Sequence, residues 1–122
     1  MSLRLLALIL VSVSLSALAQ LALKAGASTV TASRPGTVAE ELGGMAQSPM
    51  VYLGLGLYGL GAAVWLFVLA RAPLSLAYPF VGLGFILTMF AGVVAFQEEL
   101  TPARIAGTVL IAAGCVLVAR SA

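Results

Sequence analysis

The sequence predicts an all-α membrane protein with four transmembrane helices and room for a short interfacial helix in its first loop. Of its 122 residues, 62% are hydrophobic and only 8% are charged. The mean hydropathy is +1.18, which no water-soluble core accommodates. The apolar residues also fall into four long runs, each near the ~17–25 residues that a ~30 Å hydrocarbon core requires. Short polar connections separate the runs, so residues 1–122 read as a single transmembrane domain.

The first run, Leu3 to about Lys24, is expected to be a span that ends at Lys24. It also has the layout of a secretory signal, with Arg4 as the charged start and Ala17-Leu18-Ala19 as a cleavage site. It is read here as a retained helix, because it carries the most polar intramembrane surface in the chain. Next comes a loop with a turn at Arg34-Pro35-Gly36, followed by Thr37-x-x-Glu40, a capping-box pattern. Val38, Leu42 and Met45 would share one face of the resulting short helix, with Glu40 and Glu41 towards water. The alternative is a mobile loop, because Gly43-Gly44 would end such a helix early.

The remaining spans are about 50–70, 74–96 and 102–119. The tight links at Arg71-Ala72-Pro73 and Glu98-Glu99-Leu100-Thr101-Pro102 force neighbouring helices antiparallel. Pro79, after Tyr78, predicts a kink early in the third span. Thr101 before Pro102 is a good N-cap for the fourth. Arg4, Arg71 and Arg120 on one side balance Lys24, Arg34 and Arg104 on the other, so the positive-inside rule does not choose an orientation.

Composition removes several function classes. Six basic and four acidic residues, mostly at helix ends, offer no basic surface for nucleic acid. The chain has no His and one Cys. Zinc sites, disulfide frameworks and His-based acid–base chemistry therefore lack their groups. No metal, cofactor or enzymatic activity is expected, and Cys115 reads as a small packing residue.

What remains is a polar ladder on the first span: Ser12, Ser16, Gln20 and Lys24. A spacing of four advances only about 40° per step on an α-helix, so these side chains form one slowly turning stripe. An ammonium near the membrane boundary, above hydroxyls and an amide, suits a substrate with an anionic phosphate, a polar head group and an apolar tail. The alternative is that Lys24 snorkels to the interface and the serines bond carbonyls of their own helix. Tyr78 could reach a head group from the kink, or anchor at the interface. Glu98 could pair with Arg104 or with a substrate amine, or serve the loop. Glycine rows at Gly54, Gly56, Gly59 and Gly61, at Gly84 and Gly92 with Thr88 between them, and at Gly107 and Gly114 provide close-packing faces. The last pair could mark a dimer interface.

The segments Ala63 to Leu69, Ala72-Pro73-Leu74-Ser75-Leu76-Ala77-Tyr78-Pro79, Glu98 to Pro102 and Gly107 to Gly114 resemble the drug/metabolite transporter superfamily in order and spacing. Among its four-helix members the chain looks most like the small subunits that flip aminoarabinose-phosphoundecaprenol, and it is also similar to the small multidrug resistance exporters. Those exporters depend on a glutamate in the middle of the first helix. Here that helix has Ser12, Ser14 and Ser16 and no acid. The flippase subunits are matched at Gln20 and Lys24, although their first loop is typically basic and this one holds Glu40 and Glu41.

The resemblance implies a flippase subunit for a polyprenyl-phosphate-linked sugar or related anionic lipid, multi-pass in the bacterial inner membrane, working as a homodimer or with a paralogous subunit. Its site would comprise Lys24, Gln20, Ser16, Ser12, Tyr78 and Glu98. The alternatives are an exporter of organic cations or polyamines acting through Glu98, and a non-transporting accessory subunit of a glycosyltransferase system.

Overall fold

The computed structural model describes residues 2–33 and 36–121. Among them there are only helices and connections: α1 (Leu3–Ser33), α2 (Val38–Met45), α3 (Pro49–Leu69), α4 (Leu74–Ala77), a 3-10 turn (Tyr78–Phe80), α5 (Val81–Phe96) and α6 (Pro102–Arg120). Four stretches are long and apolar enough to cross a membrane, with α4, the 3-10 turn and α5 forming one of them. The protein is a multi-pass membrane protein.

The expected end of the first helix is corrected. Ser2 caps α1 by accepting from the Leu5 amide at 3.1 Å. The helix then runs past Lys24 for nine further residues, to Ser33. Nothing in Lys24-Ala25-Gly26-Ala27 breaks a helix, and Thr29 and Ser33 fold their hydroxyls onto the carbonyls of Ala25 and Thr29. At 1.5 Å per residue α1 is about 46 Å long, well beyond a ~30 Å hydrocarbon core. The expected turn residues Arg34 and Pro35 lie outside the described residues.

α2 forms where the capping box places it, with the Thr37 hydroxyl accepting from the Glu40 amide. Gly43-Gly44 does not end it early. Gly44 is buried against Val30 of α1, and that contact holds the last turn. Val38 and Leu42 are exposed.

α1 and α3 form the tightest pair and run antiparallel, as three contacts show. Ser12 meets Gly61, Leu23 meets Gly54, and Gly26 meets Val51. A Cβ at Gly26 would lie 3.0 Å from the Val51 amide nitrogen, so a glycine is required for this approach. Gly56 and Gly59 have nothing within 4 Å and take no part in the seam. α5 docks on α1 through Gly84 against Val13.

Leu5, Ile9, Val13, Val68, Ala77 and Phe80 form a core at the end where α1 begins and α3 finishes. Cys115 is buried there, its thiol donating to the Pro79 carbonyl at 2.9 Å. The α6 helix leans chiefly on α5 and the 3-10 turn, and just 6% of its apolar window is buried. The predicted kink at Tyr78-Pro79 is present as the 3-10 turn. Proline cannot donate, so the backbone tightens locally around it.

A cavity between the helices with a charged mouth

Away from the core, the helices separate around a cavity of about 600 Å³, within the size range of small-molecule sites. Its walls come from α1, α3, α5, the turn before α5, the connection after α5 and the first turn of α6. The helix register gives it an axis. Trp65 and Tyr78 lie level with the first turns of α1. Gln20 lies further along, and Glu98, Glu99 and Arg104 stand at the opposite end. The Trp65 and Tyr78 rings meet edge to face with centroids 6.4 Å apart, and both line the cavity at the end level with the start of α1.

Five of the six residues expected to form a site line this cavity: Ser12, Ser16, Gln20, Tyr78 and Glu98. They arrive from three separate segments. Lys24 does not line it. It is exposed, one helical turn beyond Gln20 towards the charged end. Ser12 is buried, and its hydroxyl donates to the Gly61 carbonyl of α3 at 2.8 Å. It therefore ties two helices together, rather than bonding within its own helix. Thr88, in the same wall, bonds back to the Gly84 carbonyl at 2.7 Å.

The charged mouth is built by backbone geometry. α5 ends in Gln97 with φ 53° and ψ 38°, left-handed values that turn the chain sharply. The Gln97 amide donates to the Gly92 carbonyl. The turn folds Glu98 back over α5, so that a Cβ at Gly92 would meet Glu98 Oε1 at 2.9 Å. The carboxylate rests in the space a side chain at residue 92 would occupy.

On the other side, Thr101 caps α6 by accepting from the Arg104 amide at 3.2 Å. The Arg104 guanidinium donates to the Glu99 carbonyl at 2.6 Å. That bond uses one of five N–H donors. Among the described residues Arg104 forms no ion pair with Glu98, the pairing considered from sequence, and both groups face the cavity separately.

Arg104, Tyr58 and Trp65 also line the cavity; from the sequence Arg104 was considered only as a partner for Glu98, and neither aromatic was expected in the site. Arg104 had a signal: it lies three residues into a helix whose cap was legible, directly after a short loop carrying Glu98. Tyr58 and Trp65 had none, since aromatic residues in an apolar span mark neither lipid face nor cavity face.

The arrangement presents apolar walls, hydroxyl and amide groups along one helix, and one cation beside two carboxylates at the mouth. Comparison with known proteins adds to it. A probable 4-amino-4-deoxy-L-arabinose-phosphoundecaprenol flippase subunit ArnE of Salmonella enteritidis PT4 is 36% identical over 93 residues, covering 75% of this chain and 80% of the relative. The chain belongs to the ArnE family of flippase subunits. ArnE proteins of the same description from Pseudomonas aeruginosa UCBPP-PA14 and Pseudomonas savastanoi are 41% and 37% identical over 76 residues, 62% of this chain. The match spans 66% of the length of the first of these two. No protein-family model matches the chain, and no solved structure matches it.

Proposed function

We propose that this protein is a flippase subunit that carries a polyprenyl-phosphate-linked amino sugar across the bacterial inner membrane. The cavity is the observation that carries this reading. It offers a guanidinium and a carboxylate at one mouth, and such a substrate has a phosphate and an amine in one head group. Arg104 holds the phosphate by charge-assisted hydrogen bonds, for which its four unused donors are suited. Glu98 holds the amine. Ser16 and Gln20 replace water around the sugar hydroxyls, and Tyr78 with Trp65 limits how deep the head group travels. Lys24 supplies a second cation outside the cavity at the same end. The prenyl tail stays in lipid beside the open mouth.

No bond is made or broken, so no catalytic residue or cofactor is needed. Transport is alternating exposure of the cavity to the two leaflets. The core end is packed and the mouth is open, which is one half of such a cycle. A single copy is a meagre enclosure, because α6 is almost bare. A second subunit, identical or paralogous, completes the wall by packing on α6 at Gly107 and Gly114, neither of which has anything within 4 Å.

The test is native mass spectrometry of protein extracted gently from its own membranes. A co-purified polyprenyl phosphate or its amino-sugar adduct is expected, weakened by Lys24→Gln and lost in Arg104→Gln. Glu98→Gln should lose the amino-sugar form while keeping the bare phosphate form. Only bulk phospholipid on the wild-type protein would overturn the proposal. Export of organic cations through Glu98 alone would leave transport intact in Arg104→Gln and abolish it in Glu98→Gln.

A further inference from the structure

A second recess, independent of the cavity and of the function proposed above, lies at the core end of the molecule. It is a groove of about 750 Å³ between the start of α1 and the end of α3. Arg4 and Arg71 stand at its rim, and Leu8, Val11 and Phe67 form its apolar floor. At 3.6 residues per turn, the groove residues on α1 centre about 110° around the helix from Ser12, Ser16 and Gln20. The groove therefore opens away from the cavity, towards surrounding lipid.

We infer that this groove binds the phosphate of an anionic glycerophospholipid from the leaflet at this end, with an acyl chain laid along Leu8, Val11 and Phe67. The charge distribution selects that occupant. Arg4, Arg71 and Arg120 all sit at this end, because Arg120 ends α6 beside Ala119, which packs on the core. All four acidic side chains, Glu40, Glu41, Glu98 and Glu99, sit at the other. Among the described residues nothing acidic at the groove competes with a phosphate for either guanidinium.

Arg71 is also held in place before a lipid arrives. It donates to the Phe67 carbonyl at 3.0 Å, and its guanidinium carbon stands 5.7 Å from the Phe67 ring centroid. This geometry combines a hydrogen bond with cation–π attraction. Less side-chain freedom is then lost on binding, and the remaining N–H donors stay available. Arg4 donates to no protein acceptor among the described residues and is exposed at the opposite rim. Basic pockets between helices at a membrane surface recognise anionic head groups in this way.

The experiment measures retention of phosphatidylglycerol against phosphatidylcholine on the intact protein by native mass spectrometry, after equilibration in mixed nanodiscs. Wild-type protein should retain phosphatidylglycerol preferentially. Arg4→Gln and Arg71→Gln should each weaken that preference about fivefold, and the double variant should remove it. Arg120→Gln lies at the same end but outside the groove, and should leave the preference unchanged. Arg71→Lys, which keeps the charge but not the fork, should retain part of it and serves as the folded control.

An unchanged preference in the double variant would overturn the inference. So would an equal loss in Arg120→Gln, which would mean diffuse surface charge rather than a built groove.

Discussion

Replacing Gly54 with Ala probes the seam that holds α1 against α3. A Cβ built there lies 2.7 Å from Leu23 Cγ, 2.8 Å from Leu23 Cδ2 and 3.0 Å from the Leu23 amide nitrogen. Carbon contacts are at their best near ~3.5–4.0 Å, so the two helices must part by roughly 0.5–1 Å. Leu23 can rotate its side chain away, but its backbone nitrogen cannot move without moving α1. Overpacking of this kind costs about 1–3 kcal/mol.

The comparison variant is Gly59→Ala, on the same helix, where nothing lies within 4 Å. Both variants share the helix-propensity gain of up to ~1 kcal/mol, so their difference isolates the steric cost. Reversible unfolding in mixed micelles by titration with sodium dodecyl sulfate, followed by circular dichroism, reads it directly. Gly54→Ala should be less stable than Gly59→Ala by about 1–3 kcal/mol. Equal midpoints would refute the close approach of α1 and α3 at this level.

Two further outcomes follow from the same packing. Ser12→Ala removes the hydroxyl that donates to the Gly61 carbonyl at 2.8 Å, and should cost about 0.6 kcal/mol, at most ~1.7, as interhelical bonds in membranes do. The same unfolding titration checks it, and a larger loss would mean that the serine carries more than this bond. Gly114→Leu should leave the helical content of the protein unchanged, since no neighbour lies within 4 Å of a Cβ there, while separating the proposed pair of subunits in detergent. Sedimentation equilibrium checks this, and a variant that stays fully dimeric would show that the bare face of α6 is not the interface.

Much of the fold was legible because membrane helices depend on local rules. Backbone groups in lipid must bond within their own segment, so length and hydropathy alone placed four spans to within a residue or two at most ends. The caps at Thr37 and Thr101 and the break at Pro79 follow from side-chain and ring chemistry that acts over a few residues. The end of α1 was misplaced because hydropathy marks where a helix meets water, whereas the helix itself ends only where something breaks it. Polar residues from Lys24 to Ser33 continue it, aided by Gly26 against Val51.

The residues of the candidate site were legible singly and not as a set. The period of four on α1 brought Ser12, Ser16 and Gln20 into view, yet nothing along the chain said that Lys24 would stand outside the walls while Arg104 stood inside them. Nor did it show that the Ser12 proton is committed to α3, or that Glu98 rests in the space left by Gly92.

By itself, then, the sequence determined that the chain lives in a bilayer, how many times it crosses, where its helices are capped and broken, and which chemistries it lacks, because each of these depends on residues close together in the chain. Only the tertiary structure decided which glycines seat a neighbour and which stay bare, and which polar groups share one cavity. Those outcomes depend on how helices rotate about their axes and slide in register, and in lipid that is settled by shape fit between segments far apart in sequence.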